Sequence, residues 1–535
     1  MNFLAKRVLN IKPSPTIAAT AKAAELKASG LDVIGLGAGE PDFDTPLHIK
    51  NAAINAINSG KTKYTSVDGI NELKSEIINK FKKDNNIDYN LKEISVGTGG
   101  KQILYNALMA TINKNDEVII PAPFWVSYPD MVVLADGVPV IAKCEESDNF
   151  KITPKILERN ISDKTKWLIL NSPSNPTGIG YEENELFEIS RTLEKYPNIL
   201  IMVDDMYEYL TYDGFDFKTL VEVNKNLKDR VLTCNGVSKS FCMTGWRIGY
   251  AGGPEWLIKA MAKIQSQSTS NPNSIAQWAS TEALSGDMTF LKSNLESFKN
   301  RRDLVVRGLN NIKGLSCKNP NGAFYVFPNC SGVLGKKTPK GKIINSDQEY
   351  CDYLLEEGLV AAVPGVAFGL SPYFRISYAT SDENLKKAIQ RIEKVTNELG
   401  DLIDIVCTIN EANLTACFAH SFQSYPENGM KAIMPFIKEA AEECGSTLEN
   451  FGPFLFGHPF KIRDCMMEAH VKSVPIIKNI LKNKQPVGVT LSIMDYQAAE
   501  GGEKVRDQAY AESVDCCLDQ VTNDDFVGVQ MYTRH

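Results

Sequence analysis

Val231-Leu232-Thr233-Cys234-Asn235-Gly236-Val237-Ser238-Lys239-Ser240-Phe241-Cys242-Met243-Thr244-Gly245-Trp246-Arg247-Ile248-Gly249-Tyr250 opens as a strand and closes as a glycine-bounded loop. The run Val231–Cys234 is apolar and β-prone, so Lys239 falls just beyond a strand end. Lysine is normally a solvated residue. Placed among Val237, Phe241 and Trp246 it loses basicity, and its neutral amine becomes a nucleophile toward carbonyls. Arg247, eight residues later, keeps its charge and has a fork suited to phosphate.

Working outward, the same strand-then-loop pattern repeats. Glu117–Ile120 runs into Pro121-Ala122-Pro123-Phe124-Trp125, and Trp167–Leu170 into Asn171-Ser172-Pro173-Ser174-Asn175-Pro176-Thr177-Gly178. Ile199–Val203 ends at Asp204-Asp205-Met206-Tyr207-Glu208. Helical periodicity between these runs predicts an α/β fold with a largely parallel sheet. In such sheets ligands bind outside the carboxyl ends of the strands. Trp125, Asn175, Asp204, Tyr207 and Lys239 therefore converge on one edge.

Upstream, Ile94-Ser95-Val96-Gly97-Thr98-Gly99-Gly100-Lys101-Gln102 passes from a strand through a glycine turn into a helix over Ile103–Ile112. A helix N-terminus there is an anion site. The spacing is neither a Walker loop nor G-x-G-x-x-G, so a nucleotide is not favoured. Nearer the start, an alanine-rich helix is expected over Ile17–Ser29 and a strand over Leu31–Leu36. The loop Gly37-Ala38-Gly39-Glu40-Pro41-Asp42-Phe43-Asp44 follows, where Gly39 lets a ligand approach the backbone. Residues 47–60 and 70–84 are helical in pattern, with Tyr64 in the loop between them.

Composition narrows the classes. The chain has 535 residues, enough for two or three domains, with 43% hydrophobic and 23% charged residues. A formal charge of -7 disfavours nucleic acid and anionic membranes as partners. The N-terminal residues lack the apolar core of a signal peptide, and no run is long enough to span a bilayer. Twelve scattered cysteines without a C-x-x-C pair argue for reduced thiols in a cytoplasm, and five histidines without ligand spacing argue against a metal.

Pyridoxal 5'-phosphate accounts for the strand-end groups together. Lys239 meets its aldehyde, Asp204 its ring nitrogen, Asn175 and Tyr207 its phenolic oxygen, and Trp125 its ring face, while Gly99, Gly100 and Arg247 meet its phosphate. On these motifs, with Gly322-Ala323-Phe324-Tyr325 and Arg375-Ile376-Ser377-Tyr378, the chain to about residue 398 resembles the fold-type-I aminotransferases, specifically the bacterial aspartate aminotransferases. The resemblance implies a large cofactor domain over 48–290, a mixed and mostly parallel sheet, and a small α+β domain from 1–47 and 291–398. It implies ping-pong exchange of an amino group between L-aspartate, or another dicarboxylic amino acid, and a 2-oxo acid such as 2-oxoglutarate. An aromatic or prephenate-type acceptor is the alternative within the class.

The resemblance also assigns residues. Arg375 grips the substrate α-carboxylate with Gly39 and Asn175 assisting, and Trp125 also borders the substrate. Lys101, Ser14 and Thr16 match the residues for a distal carboxylate. Tyr64 matches a tyrosine that reaches the neighbouring subunit's phosphate, implying a homodimer with shared active sites. Many relatives carry Ser or Thr where this chain has Gly236, so a side-chain phosphate contact is expected to be missing or replaced by a backbone N–H.

Residues 399–535 read differently. A strand over Leu402–Val406 leads into Thr408-Ile409-Asn410-Glu411-Ala412-Asn413. Helices are expected over Asn428–Cys444, Asp464–Lys482 and Gly502–Leu518, and strands over Val487–Ser492 and Phe526–Tyr532. This segment resembles the middle of a glycoside hydrolase family 1 β-glucosidase barrel, with Ala412 in place of the usual proline of T-x-N-E-P-N. The resemblance makes Glu411 the acid/base carboxylate, Asn410 a sugar contact and Tyr532 the tyrosine near the nucleophile. The T-E-N-G strand with the second carboxylate and the earlier barrel strands are missing from the sequence, so an incomplete (β/α) barrel with a vestigial Glu411 is expected. A glycosidase or sugar-binding module carried by this segment is the alternative from a different class.

Overall fold

The computed structural model describes residues 3–11, 13, 15–400, 406–414, 416–417, 438–440, 442–443, 459–481, 485–494 and 500–532. It separates into two units, Met1–Gly400 and Asp401–His535.

The first unit is built on a seven-stranded sheet. Its strands are β1 (Ile94–Gly97), β2 (Glu117–Ala122), β3 (Val138–Lys143), β4 (Thr165–Asn171), β5 (Leu200–Asp204), β6 (Val231–Gly236) and β7 (Gly249–Gly252). Their order is β1-β7-β6-β5-β4-β2-β3. β2 to β6 run parallel, and β7 is antiparallel to both β1 and β6. The mostly parallel α/β fold expected from the strand-and-loop pattern is the fold observed.

Alternation along the strands divides the core into two layers. Val118, Ile120, Trp167, Ile169, Met202 and Leu232 pack on one face. Ile119, Leu168, Leu170, Ile201, Val203 and Val231 pack on the other. Burial of both faces is why the central strands read as continuous apolar runs. The edge strand β3 is the exception: Val138 and Lys143 are exposed and Pro139 lies within it, features that blunt a free edge.

A separate core is formed by residues from both ends of this unit, among them Leu36, Phe298, Phe324, Tyr325, Ile376 and Ile392. It carries a three-stranded antiparallel sheet of Tyr325–Val326, Phe374–Ser377 and Val363–Pro364. Ser377 pairs with Tyr325 and Arg375 with Val363, so strand alternation places Arg375, Ser377 and Tyr325 on one face.

Three local expectations need correction. The strand predicted over Leu31–Leu36 shortens to Ile34–Gly35, the two residues that pair with Val360–Ala361. The helix predicted from Ile103 begins at Gly100 and runs to Thr111, because Gly99, at φ +83, turns the chain three residues earlier. The helix predicted over Gly502–Leu518 is broken into Glu503–Tyr510, a π-helical turn at Ala511–Asp515 and Cys516–Leu518.

In the second unit, Val406–Cys407, Val487–Met494 and Phe526–Tyr532 form a three-stranded parallel sheet in that order, packed by the helix Pro459–Ile480. The strand expected from Leu402 and most of the helix expected over Asn428–Cys444 lie outside the described residues, as does the Tyr532 side chain. Among the described residues no helix is long and apolar enough to cross a membrane, and no cluster of His, Cys, Asp or Glu could hold a metal.

Candidate active site

The carboxyl ends of β4, β5 and β6 open into a cavity of about 590 Å³. Asn171 ends β4 and pairs in register with Asp204 at the end of β5. The Asn171 amide donates to the Asp204 carbonyl at 2.7 Å, and its Oδ1 accepts from Asn175 N–H at 2.8 Å. That bond turns the loop so that Asn175 Oδ1 accepts from Arg375 Nη1 at 2.8 Å. Tyr128, one helical turn past Trp125, donates its hydroxyl to Asp204 Oδ2 at 2.6 Å. Burial raises the Asp204 carboxyl pKa, while the Tyr128 hydrogen bond pulls it down.

Lys239 lines the same cavity and donates from Nζ to the Gly39 carbonyl at 2.5 Å. Burial first, then the charges of Arg247 and Arg375, push its pKa down to about 8. A lysine held there is partly neutral near physiological pH, the form that attacks a carbonyl and accepts a proton.

The phosphate end is built from glycine and arginine. Gly99 caps the helix Gly100–Thr111, and a Cβ on Gly99 would lie 2.3 Å from Arg247 Nη2. A Cβ on Gly249 would lie 2.2 Å from Gly100 N, so backbones approach closely on both sides of the turn. Arg247 is itself left-handed at φ 57 and donates to the Thr244 carbonyl at 2.9 Å. At Gly236, where a side-chain phosphate contact is expected to be missing or replaced by a backbone N–H, the N–H donates to Asn235 Oδ1 at 2.7 Å.

At the opposite wall Arg375 is 2% exposed. It donates to Asn175 and to the Gly37 carbonyl, and lies over the rings of Tyr325 and Phe368 at 4.6 and 5.0 Å. Its Nε is buried without a partner, and burial depresses its pKa. Tyr207 and Tyr325 share a hydrogen bond between hydroxyls at 2.9 Å, and a Cβ on Gly39 would strike the Tyr325 hydroxyl. Lys101 lies over the Trp125 ring at 4.8 Å, and partial burial beside Arg247 lowers its pKa.

Lys101, Lys239, Arg247 and Arg375 thus line one cavity with a single carboxylate, Asp204. Among the described residues none of the four is in an ion pair with a carboxylate. Arg375 is buried and Lys239 half-buried, where an unpaired cation is costly unless a ligand supplies the anion, while Lys101 and Arg247 are exposed at the mouth.

The sequence profile of the family described as "Aminotransferase class I and II" matches residues 31–392. The chain belongs to the class I and II aminotransferases. This aminotransferase is 59% identical over 393 residues to an aspartate/prephenate aminotransferase of Cereibacter sphaeroides, covering 74% of the chain and 98% of that protein. It is 54% identical over 396 residues to an aspartate aminotransferase of Rhizobium meliloti, covering 74% of the chain and 97% of the relative. A crystal structure of an aspartate aminotransferase from Rhizobium meliloti superposes with a TM-score of 0.73 at 53% identity, over 75% of this chain and all of that one. The Thermus thermophilus aspartate aminotransferase with maleate gives 0.69 at 42% identity, over 74% and 100%. The family works through pyridoxal 5'-phosphate, so this chain is a pyridoxal-phosphate-dependent transaminase.

The cavity gathers Gly39, Gly100, Lys101, Trp125, Asn175, Asp204, Tyr207, Lys239, Arg247, Arg375 and Thr16, with Gly99 at its edge against Arg247. Ser14 lies outside the described residues. Tyr64 is 92% exposed and does not line the cavity of its own chain. Glu411 belongs to the second unit. Tyr128, Asn171 and Tyr325 carry contacts that sequence reasoning passed over. Asn171 ends its strand and was open to the rule that selected Asp204. Tyr128 sits three residues after Trp125, the spacing of one helical turn, and was legible only once that helix, Ser127–Leu134, was assigned.

Proposed function

We propose that this aminotransferase exchanges the amino group between L-aspartate, or another dicarboxylic amino acid, and a 2-oxo acid such as 2-oxoglutarate, in two half-reactions. The observation that carries the substrate class is the set of four cations around one carboxylate. Besides Lys239, three cations remain, one each for a phosphate and two carboxylates. In relatives the same chemistry stands in the names: aspartate is their substrate, and maleate, in the Thermus structure, is a dicarboxylate.

The residues divide as follows. Gly99, Gly100 and Arg247 would hold the cofactor phosphate, on the free N–H groups of the helix start and a bidentate fork. Trp125 would stack on the ring, and Asn175 and Tyr207 would meet its phenolic oxygen. Asp204, buried with a raised pKa, would regain its charge beside a protonated ring nitrogen, with Tyr128 fixing its orientation. The bound cofactor supplies an electron sink for the charge left when the Cα proton departs. Lys239 takes that proton and returns it from Nζ. Arg375 receives the α-carboxylate, with Gly39 and Asn175 beside it, and Lys101 with Thr16 and Ser14 receives the distal one. Tyr64 would reach the phosphate of a second copy in a homodimer.

A second reading, an aspartate-dependent enzyme aminating a prephenate-type acceptor, is supported by the apolar stretch of wall from Ile17, Ala21, Ala24 and Leu104. For the segment after Gly400 we infer no glycosidase activity, because Glu411 is buried in left-handed backbone at φ 54, whereas retaining chemistry needs two carboxylates about 5 Å apart facing a sugar.

Lys101→Ser tests the substrate class. Aspartate should lose about tenfold to a hundredfold in kcat/KM, the weight of one charge-assisted contact, while alanine and phenylalanine lose little. Equal losses for all donors would refute selective recognition of the second carboxylate. Assay of prephenate amination with aspartate as donor decides the second reading.

A further inference from the structure

Beside the active-site loops lies a polar cluster outside the cavity wall. Glu208 lies with Tyr207 in the turn Met206–Tyr209 that follows Asp204, the last residue of β5, and Asn235 and Gly236 end the strand that leads to Lys239. Glu208 Oε2 accepts from Asn235 Nδ2 at 2.6 Å and from Lys80 Nζ, and Oε1 accepts from Asn85 Nδ2 at 2.7 Å. Lys80 Nζ donates also to Asn85 Oδ1 at 2.6 Å, and both residues belong to the helix Asn71–Asn85. Lys80, Asn85, Glu208 and Asn235 are 4%, 1%, 7% and 2% exposed.

A buried ion pair is a poor way to gain stability, because desolvation offsets its attraction. Its firm property is geometric: Glu208 is satisfied by Lys80 and two amides, and Lys80 by Glu208, the Asn85 amide and the faces of Phe81 and Tyr209, so the parts that bear them keep one arrangement. Here those parts are the turn with Tyr207 that follows Asp204 and the strand end that leads to Lys239. Backbone contacts reinforce the register, since Asp205 N–H donates to the Cys234 carbonyl at 2.9 Å. The same turn reaches the phosphate end: Cβ atoms on Gly100 and Gly236 would lie 2.6 and 3.1 Å from the Met206 methyl.

We propose that the Lys80–Glu208 pair, with Asn85 and Asn235, is a positioning device that sets Asp204 and Tyr207 against Lys239. The inference rests on the reading that this cavity holds the cofactor. Single substitutions at the pair leave a buried charge uncompensated, so the test is the double variant Lys80→Met/Glu208→Gln, with Asn235→Ser cutting the side-chain link between turn and strand together with the bond that Asn235 Oδ1 accepts from the Gly236 N–H. Three quantities are measured on the holoenzymes: thermal midpoint, rate of cofactor release, and the pH midpoint of the bound cofactor's absorption change. The double variant should release cofactor about tenfold faster and shift the spectral midpoint by about one pH unit, a tenfold effect. Asn235→Ser should change both the same way by less, and it decides the question if the double variant does not fold. A lower thermal midpoint with release and spectral midpoint unchanged would make the cluster merely structural and overturn the proposal. Borohydride reduction of the wild-type protein, followed by peptide mapping, separates the two readings: absence of cofactor on Lys239 would defeat the site assignment itself.

Discussion

Both units place a carboxylate at the carboxyl edge of parallel strands, Asp204 closing β5 in one and Glu411 past Val406–Cys407 in the other, and the two are used differently. Around Asp204 the polar groups reach far along the chain: Asn175 to Arg375, Tyr207 to Tyr325, Lys239 to the Gly39 carbonyl. Around Glu411 they hold their own sheet together. Asn410 Oδ1 accepts from Thr490 Oγ1 at 2.7 Å and Gln530 Nε2 at 3.0 Å. Asn413 Nδ2 donates to the Ser492 and Ser513 carbonyls at 2.8 and 2.6 Å, and Glu411 is itself buried in a left-handed conformation at φ 54. A strand end becomes a site when a second layer with its own core closes over it and supplies groups of opposite character. Position at the edge of a sheet does not suffice.

The strongest way to break this comparison is to remove what the second layer supplies. Arg375→Lys keeps the charge and loses the fork, together with the bonds to Asn175 and Gly37. We expect kcat/KM to fall about a hundredfold to a thousandfold, equivalent to about 3–4 kcal/mol, for every amino donor alike. Steady-state kinetics with aspartate and phenylalanine checks this. A loss confined to aspartate would move Arg375 from the α-carboxylate to the distal one.

Next in size is the titration of Lys239. Its pKa of about 8 lies well below the ordinary lysine value of 10.5. Between those two pH values the unfolded chain binds the extra proton, so this lysine destabilises the cofactor-free protein below pH 8 and ceases to do so as pH rises toward 10.5. The same shift makes the neutral amine about two to three orders of magnitude more abundant near pH 7.5 than in a solvated lysine. Cofactor uptake by the cofactor-free protein should therefore accelerate with pH and level off above about 8. Stopped-flow absorbance measures it, and a midpoint near that of free lysine would show that burial and the two arginines do not act on Nζ as described.

The sequence made the large sheet readable because each of its strands is short, apolar and closed by a distinctive loop. It made the charge-bearing end of each loop readable for the same reason. What it hid were contacts set by the third dimension. Tyr128 reads as an aromatic in an amphipathic helix until the sheet brings Asp204 opposite it. Lys80 and Glu208 read as surface charges, 128 positions apart, until folding buries both. Nothing in the sequence shows that Asn235 accepts from the N–H of Gly236, its own neighbour.

Tyr64 sharpens the comparison, since it requires a group from outside the unit altogether. At 92% exposure it does nothing evident in its own chain. Subunits carrying Tyr64→Phe mixed with subunits carrying Lys239→Ala should recover part of the activity that the Lys239 variant lacks. The mixed dimer holds one site with both lesions and one with neither. Activity no greater than the sum of the separate variants, or a fully active monomer by sedimentation, would rule out shared sites.

The smallest effect expected is from deleting the second unit, and where the cut falls decides the outcome. Leu399 is 4% exposed and belongs to the core with Ile392 and Phe374. Gly400 exchanges both backbone hydrogen bonds with Lys337, N–H to carbonyl at 2.9 and 2.8 Å. A stop after Glu398 removes a buried leucine worth about 2 kcal/mol together with that pair of bonds. A stop after Gly400 keeps both. Transamination should then stay within about twofold of the full chain for the longer truncation, while the shorter one loses about two to three degrees in Tm, as about 2 kcal/mol implies for a unit this size. Glu411→Gln in the full chain should leave transamination unchanged, and neither it nor the parent should hydrolyse an aryl β-glucoside. Hydrolysis by the parent that disappears in Glu411→Gln would give that strand end a chemistry after all. Loss of transamination on stopping after Gly400 would instead show that the second unit supports the first.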